Sequence, residues 1–160
     1  MLHASTIWKL IKDNKLIIKP EVEEKALRGS TLDLRLTNNP EEIRILEGEV
    51  ELKSLKNIKF ESIGRKANVE NGWVSIPPKT SVLARSLEEF SSKGERLFCL
   101  VIPRFYALRN GIIVQGYLEI GSEPSKAEFL IYNSKESEFR IKLGDYSIAQ
   151  LVFFKVKEEV

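Results

Sequence analysis

The sequence predicts an all-β domain with a short N-terminal helix. Its apolar runs are short, turn chemistry separates them, and no helical spacing alternates with them. Such a pattern belongs to a sandwich or barrel rather than to a parallel sheet covered by helices. The one helical stretch is 5–14. Ser5 or Thr6 can cap it, Ile7, Trp8, Leu10 and Ile11 form an apolar stripe, and Asn14 can end it. A short strand at 16–18 ends before Pro20. Further strand signals lie at 32–36, 43–46, 49–52, 58–63, 73–76, 81–87, 97–103, 111–115, 127–132, 139–143 and 147–156. Asn38-Asn39-Pro40, Glu70-Asn71-Gly72, Pro77-Pro78-Lys79, Ser92-Lys93-Gly94 and Leu143-Gly144-Asp145 supply the turns between them. Residues 38–67 are the most charged stretch, either a meander or an insertion. No linker divides the chain, so 1–160 reads as a single domain.

Composition narrows the function. The 160 residues are 42% hydrophobic, enough for a core, and 25 Lys and Arg nearly balance 23 Asp and Glu. That balance excludes a strongly cationic nucleic-acid coat, and no Lys/Arg cluster interleaves with aromatics. Trp8 and Trp73 read as core or interface residues rather than base-stacking platforms. No apolar run is long enough to span a bilayer and the start lacks a signal peptide's apolar segment, so a cytoplasmic location is expected. A single cysteine, Cys99, and a single histidine, His3, exclude a disulfide framework, a zinc cluster and a His-rich metal site. Cys99 reads as a small buried apolar residue.

Four places carry chemistry. In Gly29-Ser30-Thr31-Leu32-Asp33-Leu34-Arg35-Leu36, leucines alternate with Asp33 and Arg35, which share a strand face and can pair. In Arg104-Phe105-Tyr106-Ala107-Leu108-Arg109, two arginines flank an aromatic pair, and the planar guanidinium suits phosphate. In Gly116-Tyr117-Leu118-Glu119-Ile120-Gly121, a carboxylate beside a ring is a candidate base or ligand group. The glycines there would let the backbone approach a small ligand. In Gly144-Asp145-Tyr146-Ser147-Ile148-Ala149-Gln150, parity puts Gln150 on the same side as Ile148, where its amide needs a partner. Each place also has a plainer reading, as a surface pair, solvated arginines, an exposed turn or an edge-strand amide.

In their order along the chain, these pieces resemble the dCTP deaminase / dUTPase family. "STIWKLIKDNKLIIKP" looks like the deaminase branch's opening helix and strand, and "GSTLDLRL" resembles its first motif, "ASVDLRL". "IPPKTSVLARSLEEF" resembles the Pro-Gly-x-x-x-Leu-x-x-Thr-x-Glu strand pair, and "GDYSIAQLVF" is close to the dUTPase form of the fourth motif. The likeness covers nearly all of the chain except about 38–70. It implies a homotrimer of distorted jelly-roll, β-clip subunits, with active sites between subunits that take a pyrimidine deoxynucleoside triphosphate and Mg²⁺ held through its phosphates. The deaminases use a glutamate as general base without zinc, and the dUTPases use an aspartate to activate water and release pyrophosphate.

Carried onto this chain, the resemblance implies that Arg104, Arg109 and Gln150 hold phosphates. It also implies that Tyr117 lies against the substrate, Glu119 activates water, and Ser30 and Asp33 build the wall between subunits. Several positions depart from the family's pattern. "RFYALR" stands where the family has Arg-Ser-Ser-x-x-Arg, so Phe105 and Tyr106 replace two serines, and a decayed site would have them fill the phosphate pocket. Glu119 stands at an aspartate position, and Leu130 stands where the deaminase glutamate is expected. Glu128, two residues before Leu130, could serve as base only through a slipped register. The expectation is therefore a dUTPase-like hydrolase that converts dUTP to dUMP and pyrophosphate. A decayed nucleotide- or protein-binding module is the alternative, and dCTP deamination the second alternative.

Overall fold

The computed structural model describes residues 1–47, 58–146 and 148–157. The chain opens with α1 (Ala4–Lys12) and β1 (Leu16–Lys19). The helix starts at Ala4, two residues earlier than a Ser5 cap would set it, because His3 is the N-cap and its ring nitrogen accepts the Ser5 N–H at 3.2 Å. It ends at Lys12 with Asp13 as C-cap, and Asn14 turns the chain with a positive φ of 56°, a region Asn tolerates. Ile7 is the fully buried member of the apolar stripe.

The short β2 (Leu27–Arg28) and β3 (Thr31–Leu34) form a tight hairpin, followed by β4 (Ile43–Ile45), β5 (Arg65–Lys66), β6 (Asn68–Glu70) and β7 (Trp73–Ile76). The long β8 (Thr80–Ser92) leads to β9 (Leu97–Pro103), a five-residue α2 (Phe105–Arg109), β10 (Ile112–Ile120), β11 (Ser125–Asn133), β12 (Phe139–Lys142) and β13 (Ala149–Lys155). One sheet runs β2-β3-β13-β9-β10-β11-β8-β4-β5 with β1 on β8, and a smaller sheet runs β12-β7-β6. The expected all-β architecture with a short N-terminal helix is what the chain adopts. No helix among the described residues is long and apolar enough to cross a membrane.

Several elements differ from the sequence expectation. Residues 60–62 form a 3-10 turn rather than part of a strand, with Phe60 buried and the Arg85 guanidinium 4.1 Å from its ring centre. The expected strand at 49–52 lies outside the described residues. The helix α2 was not expected. Its Tyr-Ala-Leu-Arg run contains no β-branched residue, and Asn110-Gly111 ends it. The strand begun at 81–87 runs on to Ser92 and the one at 111–115 to Ile120, because β8 keeps pairing with β1 and β11 and β10 keeps pairing with β9, whereas the strand at 127–132 grows by only one or two residues at each end.

The large sheet has two unlike faces. Along β10, Ile112, Val114, Leu118 and Ile120 are buried, while Ile113, Gln115, Tyr117 and Glu119 are exposed. The buried face joins Phe90, Phe129, Phe153, Leu97 and Ile131 in one apolar cluster. Cys99 lies fully inside it, and burial pushes its thiol up, away from reactivity. Trp73 is not a core residue: it is partly exposed, with Arg140 over its ring.

Candidate functional site

The β2–β3 hairpin and the end of β9 meet at Asp33. This carboxylate is only 4% exposed. One oxygen takes Arg28 Nη2 at 2.7 Å and the other faces Arg104 Nε at 3.3 Å. Arg104 is fixed further by donating Nη1 to the Tyr146 carbonyl at 2.8 Å and its own N–H to the Ile148 carbonyl at 2.8 Å. These groups, with Glu23, Lys25 and Ala26, line a cavity of about 310 Å³. Glu23 and Lys25 pair at 2.8 Å, which holds the carboxyl of Glu23 below and the amine of Lys25 above their usual ranges.

The expected pairing of Asp33 with Arg35 does not form. β3 ends at Leu34, so Arg35 leaves the face that Asp33 occupies. Arg35 donates Nε to fully buried Glu88 at 2.6 Å, and its guanidinium lies 5.1 Å from the Tyr146 ring centre. Its backbone N–H also donates to the same carboxylate. Burial raises the carboxyl of Glu88 above its ordinary range, and Arg35 pulls it part of the way back. Burial likewise raises the Tyr146 phenol.

Gln150 also departs from expectation. β13 begins at Ala149, and Ala149, Leu151 and Phe153 face the core. Ile148 precedes the strand, so its parity does not extend to Gln150. Gln150 sits opposite both Asp33 and Ile102, and its Nε2 donates to the Pro103 carbonyl at 3.1 Å. It therefore stands beside the arginine cluster. Ser30, in the hairpin turn, is half-buried at the same edge.

The second group of candidates lies on the open face of the large sheet. Gln115, Tyr117 and Glu119 on β10 line a groove of about 580 Å³ with Leu83, Glu128 and Leu130. The register sets Glu128 opposite Tyr117 and Leu130 opposite Gln115. The ladder slips only between Lys126 and Glu128, so Glu128 keeps its place two residues from Leu130. Arg85 grips Glu128 through Nε at 3.0 Å and Nη2 at 2.9 Å. Gly116 does not open this face to a ligand. A Cβ there would meet the Glu128 carbonyl at 2.5 Å, so the close approach is made by β11 itself.

Phe105 and Tyr106 do not fill a pocket. They are 57% and 65% exposed and meet edge to face on α2, since Ala107 is the residue of that helix turned inward. Exposed Arg109 stacks on Phe105 at 4.1 Å. Glu119 lies opposite Phe98, six residues along β9 from Arg104, a separation of about 20 Å at strand rise. Within one chain the phosphate candidates and the carboxylate candidates thus form two separate patches. A larger hollow of about 710 Å³ lies beside β4 and β8, but its Arg65 is paired with Glu47, and its Lys79 with Ser134 and Glu136. Sequence reasoning had no signal for Arg28, whose role appears only when the hairpin folds it back over Asp33.

Known proteins resemble this chain in sequence and in fold. The chain is 28% identical to a dCTP deaminase, dUMP-forming, of Hydrogenobaculum sp. (strain Y04AAS1), across 99% of this chain and 84% of that protein. Its fold matches the crystal structure of 2'-deoxycytidine 5'-triphosphate deaminase from Agrobacterium tumefaciens with a TM-score of 0.69 at 11% identity. That match covers 98% of this chain, which spans about half (48%) of the structure's length. The dCTP deaminase-like family model matches residues 1–156, nearly the whole chain, and the chain belongs to the dCTP deaminase-like family.

Proposed function

We propose that the protein is a homotrimeric hydrolase that cleaves a pyrimidine deoxynucleoside triphosphate, dUTP foremost, to the monophosphate and pyrophosphate. The observation that carries this reading is on the open face of the sheet. Leu130 stands in the deaminase glutamate's place, facing Gln115, while Glu119 on the same face has no hydrogen-bond or ion-pair partner among the described residues. A carboxylate is therefore available to take a proton from water, and none is present at the position from which the base amino group would be attacked. Glu128 is a poorer base, because Arg85 occupies it. Forming dUMP from dCTP requires loss of both an amino group and pyrophosphate, and this chain keeps the groups for the second step.

A second copy completes such a site. The Arg104 cluster and Glu119 lie too far apart in one chain to act on one triphosphate. The face between them exposes Leu100, Ile113 and Tyr117, an apolar surface suited to association. Among the described residues no three His, Cys, Asp or Glu side chains gather into a metal cage. In this reading Mg²⁺ is held through substrate phosphates and water, where it spreads their charge. Arg104, Arg109 and Gln150 orient the phosphates, and Tyr117 lies against the nucleoside.

The test is to supply dUTP and dCTP with Mg²⁺ and to follow pyrophosphate and ammonia separately. We expect pyrophosphate from dUTP, no ammonia from dCTP, and a loss of 100-fold or more in rate for Glu119→Gln, as for removal of a general base. Ammonia from dCTP would return the protein to the deaminases. Neither product, with Mg²⁺-dependent nucleotide binding, would make it a binding module, the reading favoured by the aromatic pair at the two serine positions.

A further inference from the structure

We infer that Arg28 is a second anion-binding residue of the Asp33 cavity, forming with Arg104 a two-guanidinium clamp for a diphosphate group. The inference rests on the proposed function only in taking that diphosphate to be part of a nucleotide.

The charge arithmetic of the cavity points to an anion. Glu23 is matched by Lys25 at 2.8 Å. Asp33 faces two guanidiniums, one at each oxygen, which leaves one positive charge uncompensated. The Tyr146 and Ala26 side chains in the wall lower the local dielectric and strengthen attraction for an anion. The two arginines are unequal. Arg104 is mostly buried and spends donors on both Asp33 and the Tyr146 carbonyl. Arg28 is 61% exposed and spends only Nη2, on Asp33. Its Nε and Nη1 have no partner among the described residues, and a guanidinium held along one edge can still offer another to phosphate oxygens.

The backbone fixes Arg28 for this task. Arg28 pairs with Thr31 across the hairpin, so its side chain lies on the face that carries Asp33 two residues on. The Thr31 hydroxyl donates to the Arg28 carbonyl at 3.1 Å, and Gly29 makes the turn with φ 57°. The Gly29 carbonyl accepts the Ala4 N–H at 2.8 Å, tying the hairpin to α1. The arginine is thus preorganised, so little backbone ordering opposes binding.

Titration calorimetry of the full chain with inorganic pyrophosphate tests the clamp. Arg28→Gln should bind about tenfold more weakly than the wild type, as for one lost charge-assisted hydrogen bond. Arg28→Lys should recover only part of the loss, because it keeps the charge and not the fork. Arg140→Gln, which alters the arginine over Trp73 in the small sheet, controls for net charge and should bind normally. Melting temperatures establish that the variants are folded. Absent wild-type binding, an unchanged Arg28→Gln, or an equal loss in Arg140→Gln would each overturn the clamp. The dUTP assay is a separate readout. Arg28-dependent pyrophosphate binding without hydrolysis keeps the clamp and removes the hydrolase reading; hydrolysis with Arg28-independent binding does the reverse.

Discussion

Asp33 and Arg35 stand two residues apart, and each anchors a carboxylate–arginine cluster, but the two clusters differ in what they leave free. Around Arg35 almost everything is used: Nε donates to Glu88, Nη2 reaches toward the Pro20 and Glu21 carbonyls, and the plane lies over Tyr146. Glu88 is fully buried and accepts from both the side chain and the backbone of Arg35. Around Asp33, one carboxylate serves two arginines, and Arg28 keeps donors facing a cavity. A saturated pair at the centre of a fold stabilises the closure of β8 against the β3 segment. A cluster with surplus positive charge beside a hollow is built to take an anion. Both contain a buried acid and a guanidinium, and only the count of charges and donors tells them apart.

The largest expected effect comes from breaking the saturated pair. Arg35→Gln strands a buried carboxylate and should cost about 3–5 kcal/mol at pH 7. The sign of its pH dependence follows from Glu88, whose carboxyl burial already raises above the ordinary range. The native state then holds the Glu88 proton to a higher pH than the unfolded chain does. The stability this group contributes is complete below the unfolded value and is lost as pH rises through the raised one. Removing Arg35 takes away the group that pulls this value down, so the variant's deficit should widen from pH 5 to pH 8. Urea unfolding at both pH values measures it, and a deficit that narrows over that range would sink the account of Glu88 as a desolvated acid.

Asp33→Asn should do less to the fold and more to binding. The carboxylate's two charge-assisted contacts are worth about 1.5–3 kcal/mol each, but Asn can still accept a hydrogen bond and the substitution strands no buried carboxylate, so about 2 kcal/mol of destabilisation is expected. With the anchor neutralised, Arg104 and Arg28 repel each other across the gap, and the dUTP hydrolysis proposed above should fall through a raised KM before kcat. Steady-state kinetics beside a melting curve separates the two effects. If stability falls by as much as in Arg35→Gln while KM stays put, the two clusters are alike and both are structural.

How much of this was legible in the sequence depends on the range of the interaction. The leucines at 32, 34 and 36 announced a buried strand face, and all three are buried. The turns and the order of the later strands followed from short-range chemistry in the same way. The Arg35–Glu88 pair joins residues 53 positions apart, and no local pattern encodes which of two polar neighbours turns inward. Parity placed Gln150 with Ile148 because the reading extended the strand too far; the strand begins one residue after Ile148. For α2, the Arg-to-Arg spacing suggested a phosphate motif but gave no hint of a helix, because five residues are too few for a periodic signal. Glu119 and Glu128 line one groove on the open face of the sheet, and their juxtaposition, like the Arg85 partner that reaches Glu128 from a strand 43 residues earlier, is set by long-range pairing.

The smallest expected effect sharpens the contrast from outside both clusters. If Phe105 and Tyr106 plugged a vacated phosphate pocket, replacing either by serine would empty a packed site and cost about 3–5 kcal/mol. Both rings instead stand mostly in solvent, touching each other and Arg109. An exposed cation–π contact is worth about 0.5–1 kcal/mol, so Phe105→Ser should lower stability by no more than that, and Tyr106→Ser by less than about 0.5 kcal/mol. The double variant restores the family's Arg-Ser-Ser pattern between Arg104 and Arg109 and leaves the Asp33 anchor untouched. Pyrophosphate affinity measured on it isolates α2. A gain would mean that the rings block an otherwise complete phosphate site. An unchanged affinity would mean that the arginines at Asp33 hold the anion without help from α2, which is what their surplus donors predict.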